Sequence, residues 1–159
     1  MREKLIKLLE KNARTPDKDL AAMLGVSEKE VANEIKTLEK EGIIRGYALI
    51  VERKKMLQNP VTAVLEIKVT PKAKSGYASL AELFRGFSEV ESVRLMSGKY
   101  DFLVTVKCDT LDGVGYFVAD KLSPIDGVLD IATHFVIGRY KERGINLGTD
   151  TDGRSWVSP

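Results

Sequence analysis

The chain has 159 residues, 43% of them hydrophobic and 30% charged, a globular balance with room for one ordinary domain or two small ones. No apolar run approaches the roughly 20 residues of a membrane helix, and the opening MREKLIKLLEKN mixes charge with leucine too closely for a secretory signal, so a soluble cytoplasmic protein without a membrane partner is expected. A single cysteine, Cys108, and a single histidine, His134, exclude an internal disulfide and the usual four-ligand zinc site, so no metal and no cofactor are expected.

Phosphate-binding glycine loops and the serine-hydrolase elbow are missing from the sequence. The net charge is +2, unevenly spread: residues 1–60 carry 13 Lys/Arg against 10 Asp/Glu, and the remainder 12 against 13. The front is mildly basic, which suits an acidic partner without demanding one.

The hydrophobic period is helical before about residue 60, and strands alternate with helices after it. A first helix is predicted from Arg2 to Asn12, with Leu5, Leu8 and Leu9 on one face. Thr15-Pro16 reads as N-cap and first position of a second helix. Its Leu20, Ala21 and Leu24 point inward, and Gly25 closes it with a left-handed turn. Ser27 and Glu30 form a capping box for a third helix, whose buried stripe is Val31, Ile35 and Leu38 and whose stop is Gly42. Ile43-Ile44 and Tyr47 to Val51 read as two short strands bent at Gly46, making a winged helix-turn-helix over residues 1–51. Residues 52–60, ending at Pro60, read as a linker.

In residues 61–70, Val61, Ala63, Leu65, Ile67 and Val69 alternate with Thr62, Glu66, Lys68 and Thr70, a half-buried strand. A helix follows from Ser75 to Phe87, then strands Val90 to Met96 and Tyr100 to Cys108 joined around Gly98. A second helix runs from Leu111 to Leu122, burying Leu111, Val114, Val118 and Leu122, and Val128 to Ile137 is the last strand. The order βαββαβ over residues 61–140 predicts a ferredoxin-like antiparallel sheet with both helices on one face. The other face is also partly apolar, through Val64, Leu103, Ala132 and Val136, so sheet-to-sheet packing in a homodimer is expected. Residues 141–159 read as a C-terminal tail, loose over GTDTDGRS and holding the odd aromatic Trp156.

Ala21, Gly25 and Val31 have the spacing of a helix-turn-helix: a small residue for close helix approach, a turn, and a residue packed behind the recognition helix. A three-helix protein-interaction module gives a similar pattern. The third helix holds Glu28, Glu30, Glu34, Glu39 and Glu41, which repel phosphates, yet a wheel at about 100° per residue places Lys29, Asn33, Lys36 and Lys40 opposite the buried pole, with Thr37 alongside. Those groups suit a major groove of double-stranded DNA, since Asn pairs with adenine, Lys with guanine or phosphate, and Thr with a thymine methyl. Arg45 in the wing and Lys54-Lys55 in the linker are further phosphate candidates, beside the plain reading of a solvated surface.

The stretch LIKLLEKNART…LAAMLGVSEKEVANEIKTLEKEGIIRGY resembles the N-terminal domain of the Lrp/AsnC (feast/famine) transcription regulators, and LMSGKYDFLVTV and DGVLDIATHFVI resemble that family's ligand-sensing (RAM-type) domain. The resemblance covers about residues 1–140. It implies an α+β protein whose dimers assemble into octamers or related rings around DNA, and a small effector, usually an amino acid, bound between dimers. It places the effector site at the loop Ser97-Gly98-Lys99-Tyr100-Asp101 and at Thr133-His134. Gly98 then permits close backbone approach, and Asp101 accepts the effector's ammonium group; a turn glycine and a capping aspartate are the plainer readings. The chain departs from the family where Asn33 and Glu34 replace arginines and His134 replaces a small hydroxyl residue.

Two other classes compete. Some tetrapyrrole (siroheme-type) decarboxylases resemble the same two-domain plan, but they need histidines and arginines around a macrocycle, and here only His134, Arg94 and Arg139 are available. The glutamate-rich third helix keeps open an effector sensor whose helix-turn-helix binds protein.

Overall fold

The computed structural model describes residues 1–53, 56–57, 59–70 and 76–147. The chain divides into two compact units, residues 1–49 and residues 50 onward, each with its own apolar core. The first contains helices α1 (Arg2–Lys11), α2 (Asp17–Leu24) and α3 (Glu28–Lys40). Leu5, Leu9, Leu20, Ala21, Val31 and Leu38 form its core, with Leu24 and Ile35 half-buried against them. Gly25 takes the left-handed conformation at φ 69°, which a side chain resists. Gly42 does the same at φ 71°, and the amides of Ile43 and Ile44 both turn back to the Leu38 carbonyl.

Two expectations for this unit change. Helix α2 begins at Asp17 with Pro16 as its N-cap, and Thr15 does not cap it. The Thr15 hydroxyl instead donates to the Asn12 carbonyl at 2.8 Å, holding the α1–α2 turn. The expected wing strands are also missing: residues 43–51 form no paired strand. Ile43 and Ile44 are used to close α3, which leaves too little chain before Gly46 for a ladder.

The second unit is a four-stranded antiparallel sheet with the order β2-β3-β1-β4, built from β1 (Val61–Val69), β2 (Val90–Leu95), β3 (Phe102–Cys108) and β4 (Val128–Phe135). Helices α4 (Gly76–Arg85) and α5 (Leu111–Tyr116) join the strands, α5 running on as a wider π-helix over Phe117–Leu122. The alternation read in β1 is real: Ala63, Leu65, Ile67 and Val69 are buried with Phe102, Val104 and Val106 of β3. Leu80 and Phe84 of α4, and Val114, Phe117 and Leu122 of the second helix, close the core over that face. Phe84 meets Phe102 edge-on at 5.2 Å, a favoured arrangement of two aromatic quadrupoles.

Leu111 does not enter the core as expected and is 58% exposed; Leu129 of β4 is 61% exposed. Leu111 lies in the first turn, where Thr110 caps the Gly113 amide. Leu129 sits where the β1–β4 register shifts beside Val69. On the sheet's other face, Val64, Leu103 and Ala132 are only half-buried, interleaved with Thr62, Glu66, Thr105 and Lys107.

The expected tail holds structure through residue 147. A hairpin pairs β5 (Lys141–Glu142) with β6 (Ile145–Asn146) across Arg143 and Gly144, both at positive φ, and Leu147 is buried. Arg-Gly lacks the Asn-Gly or Asp-Gly signature of such turns, which is why periodicity misses it. The Arg139 guanidinium donates to the Val51 carbonyl at 3.2 Å. In the linker the Met56 amide donates to the Arg53 carbonyl at 2.9 Å. Lys54-Lys55, Ser75, GTDTDGRS and Trp156 lie outside the described residues.

Candidate DNA-binding face and effector site

The third helix is fixed at its start by the capping box read from the sequence. The Ser27 hydroxyl accepts from the Glu30 amide at 3.2 Å, and a Glu30 carboxylate oxygen accepts from the Ser27 amide at 2.8 Å. The Ser27 bonds hold the Glu30 carboxyl below its ordinary range. With Val31 and Leu38 buried, Lys29, Asn33, Lys36, Thr37 and Lys40 all stand exposed on the remaining surface of α3. Among the described residues no ion pair engages Lys29, Lys36 or Lys40. Thr37 is exposed and gives its hydroxyl proton to the Asn33 carbonyl at 2.8 Å. Arg45 is exposed and folds back over the end of α3: its guanidinium carbon lies 3.1 Å from where a Cβ on Gly42 would sit.

Glu34 and Glu39 of α3 and Glu41 at its C-cap have partners that the sequence did not disclose. Arg2 of α1 reaches Glu34 at 2.6 Å and Glu41 at 2.8 Å. Glu39 accepts from the Tyr47 hydroxyl at 2.9 Å. Periodicity has no signal for such pairings, because Arg2 and Glu34 are 32 residues apart.

The effector candidates fall into two groups. Gly98, Tyr100 and Asp101 belong to the β2–β3 loop, and Thr133 and His134 to β4, with β1 lying between β3 and β4. Gly98 has φ 135°, and a Cβ there would meet nothing within 4 Å. The glycine is therefore required by the backbone conformation of the turn. Tyr100 is half-buried.

Asp101 is tied into the chain on every side. Its Oδ2 accepts from the Val69 amide at 2.8 Å, where the β1–β3 pairing has ended, and its Oδ1 accepts from the Tyr77 hydroxyl at 3.2 Å. Its own amide donates to Ile67 at 3.0 Å, and its carbonyl accepts from Met96 at 2.8 Å. The bond to Asp101 raises the Tyr77 phenol above its ordinary value. Tyr77 thus links α4 to the loop, and its ring also stands edge-on to Phe102 at 5.9 Å.

Thr133 and His134 point to opposite faces of the sheet. Thr133 pairs with Leu65 on the helix-covered face; His134 pairs with Val64 on the open face, its Nε2 3.7 Å from Glu66 Oε1.

A three-helix unit presenting one basic helix face, in a chain with a ferredoxin-like α+β unit, defines a helix-turn-helix regulator with a separate sensing domain. Comparison with known proteins agrees in both halves. Residues 1–45 match the winged helix-turn-helix DNA-binding family model, and residues 62–145 match the Lrp/AsnC ligand binding domain.

The HTH-type transcriptional regulator YugG of Bacillus subtilis is 40% identical over 157 residues, 98% of this chain and 95% of that protein. LrpA of Pyrococcus abyssi is 30% identical, covering 88% of this chain and 97% of its own. Among solved structures, transcriptional regulator NMB0573 of Neisseria meningitidis in complex with L-Met superposes with a TM-score of 0.70 at 26% identity, covering 89% of this chain and 90% of that one. The chain belongs to the Lrp/AsnC family, and it is an effector-responsive, DNA-binding transcriptional regulator.

Proposed function

We propose that the protein is a cytoplasmic regulator, not an enzyme, that reads duplex DNA with Lys29, Asn33, Lys36, Thr37 and Lys40 of α3, Arg45 adding a phosphate contact. The observation that carries this reading is the set of three lysines on the exposed side of α3, opposite Val31 and Leu38, that form no ion pair among the described residues. No helix among the described residues is long and apolar enough to cross a membrane. Residues 1–51 act as the DNA-binding domain, 52–60 as a linker and 61–140 as the sensing and dimerising domain. Two copies pack through the half-apolar open sheet face around Val64, Leu103 and Ala132, and dimers assemble further into octamers or related rings.

The effector is an amino acid, a class supported by the L-Met complex of the meningococcal relative. The loop of Gly98, Tyr100 and Asp101 and the strand residues Thr133 and His134 take part in its site. Since β1 separates the two groups within one copy, a ligand touching both is best served by a site between copies. Selection of genomic fragments by the purified protein, repeated with a panel of amino acids, tests the reading. Enrichment of discrete fragments that shifts with one amino acid is expected. Failure to retain any fragment, or light scattering that shows a monomer at micromolar concentration, rejects it.

A further inference from the structure

Between residues 28 and 41 the recognition helix and its cap hold five glutamates and three lysines, a poor balance for an element that approaches phosphates. The structure engages four of these carboxylates separately, and the exposed Glu28 has no partner among the described residues. Glu30 is engaged by Ser27 in the capping box, and Glu39 accepts from Tyr47. Glu34 and Glu41 lie two turns apart on the flank next to Thr37, and one guanidinium holds both. Arg2 Nε donates to Glu34 Oε1 at 2.6 Å, while Nη1 and Nη2 donate to the two oxygens of Glu41 at 2.8 and 3.3 Å. The planar fork of arginine suits this two-sided grip, and a lysine has no equivalent. Glu34 is left with a side chain only 19% exposed. The two carboxylates raise the basicity of Arg2, Glu34 foremost.

We propose that Arg2 is a positioning residue for DNA binding: by clamping Glu34 and Glu41 it offsets the charge of both carboxylates on the flank of the lysine face and draws Glu34 out of solvent, Glu41 staying 44% exposed. The proposal rests on that face being the surface that meets DNA. Without Arg2, two uncompensated negative charges border Asn33, Thr37 and Lys40, and they oppose phosphate approach from that side. The repulsion acts between exposed groups, so salt screens it.

The test is a set of anisotropy titrations with a random-sequence duplex and with the duplex most enriched by the wild-type protein in genomic selection. R2Q is expected to bind about three- to tenfold more weakly at about 50 mM salt, with the deficit shrinking toward none at about 200 mM. Adding E34Q and E41Q to R2Q is expected to restore wild-type affinity although Arg2 is still missing. R2K keeps the charge without the fork; it should lose less than R2Q and be rescued by the same glutamine pair, which keeps the test available should R2Q fold poorly.

Unchanged binding by R2Q overturns the proposal. So does a deficit that the glutamine pair does not rescue, which assigns Arg2 to helix packing or to direct phosphate contact. The K29A/K36A variant reports on the underlying reading separately. If it binds as wild type, the lysine face itself is wrong; if it binds weakly while R2Q is unrescued, only the role of Arg2 fails.

Discussion

The two candidate sites differ in how much of the fold each one needs. The proposed DNA-binding face belongs to a single helix, with Arg45 just beyond its end. Once Val31 and Leu38 are buried, the 3.6-residue period places Lys29, Asn33, Lys36 and Lys40 outward together. The proposed effector residues belong to a loop and a strand on either side of β1, and two of them, Thr133 and His134, face opposite ways. A site on one helix is complete as soon as the helix docks. A site spread over a sheet depends on register, on loop anchors such as Asp101, and on what lies against the open face.

Four variants sharpen that contrast. The largest expected effect is in the sheet unit: Phe84→Ala removes a fully buried ring packed on Phe102 and should destabilise that unit by about 3–5 kcal/mol. Hydrogen exchange on the full chain should then speed up in β3 while α3 amides keep their protection. Equal acceleration in both units would show that the two cores fold as one. Next, Lys29→Ala with Lys36→Ala should weaken DNA binding roughly tenfold or more at low salt and reduce the salt slope by up to about two, without moving the thermal transition. A lowered melting point with an unchanged slope would point to a structural role instead.

Ser27→Ala should cost about 1 kcal/mol, the usual worth of an N-cap, seen as a lower denaturation midpoint. Because the Glu30 pKa is lowered in the folded chain, its contribution is present above the ordinary carboxylate value and is lost as pH falls through the folded one. The Ser27→Ala variant should lose part of that acid sensitivity. The smallest effect concerns Tyr77, whose phenol is raised by Asp101. Its contribution is complete below the unfolded value and is lost as pH rises through the folded one. Asp101→Asn should bring the ultraviolet titration of Tyr77 down toward an ordinary phenol, and an unmoved titration would remove Asp101 as its cause.

Signals confined to a few neighbouring residues were legible. Ser27 and Glu30 announce the start of α3, Gly25 and Gly42 mark two helix ends, and the alternation of Ala63, Leu65 and Ile67 gives the buried face of β1. Thr15 misled for an equally local reason: its hydroxyl found the Asn12 carbonyl in place of a free amide of α2. The wing strands failed because Ile43 and Ile44 close α3 instead, and the 141–146 hairpin was hidden by a turn sequence of weak signature.

The sequence by itself determined the three helices of the first unit, the βαββαβ order of the second, most of their buried stripes and the exposed lysine side of α3, since each follows from spacings of one to four residues. Tertiary structure alone decided that Arg2 grips Glu34 and Glu41, and that Tyr77 and the Val69 amide share the carboxylate of Asp101. Those partners lie 24 to 39 residues apart in the chain, and hydrogen bonds form only within about 3 Å. Only the packing of helices and the register of strands brings such groups within that reach.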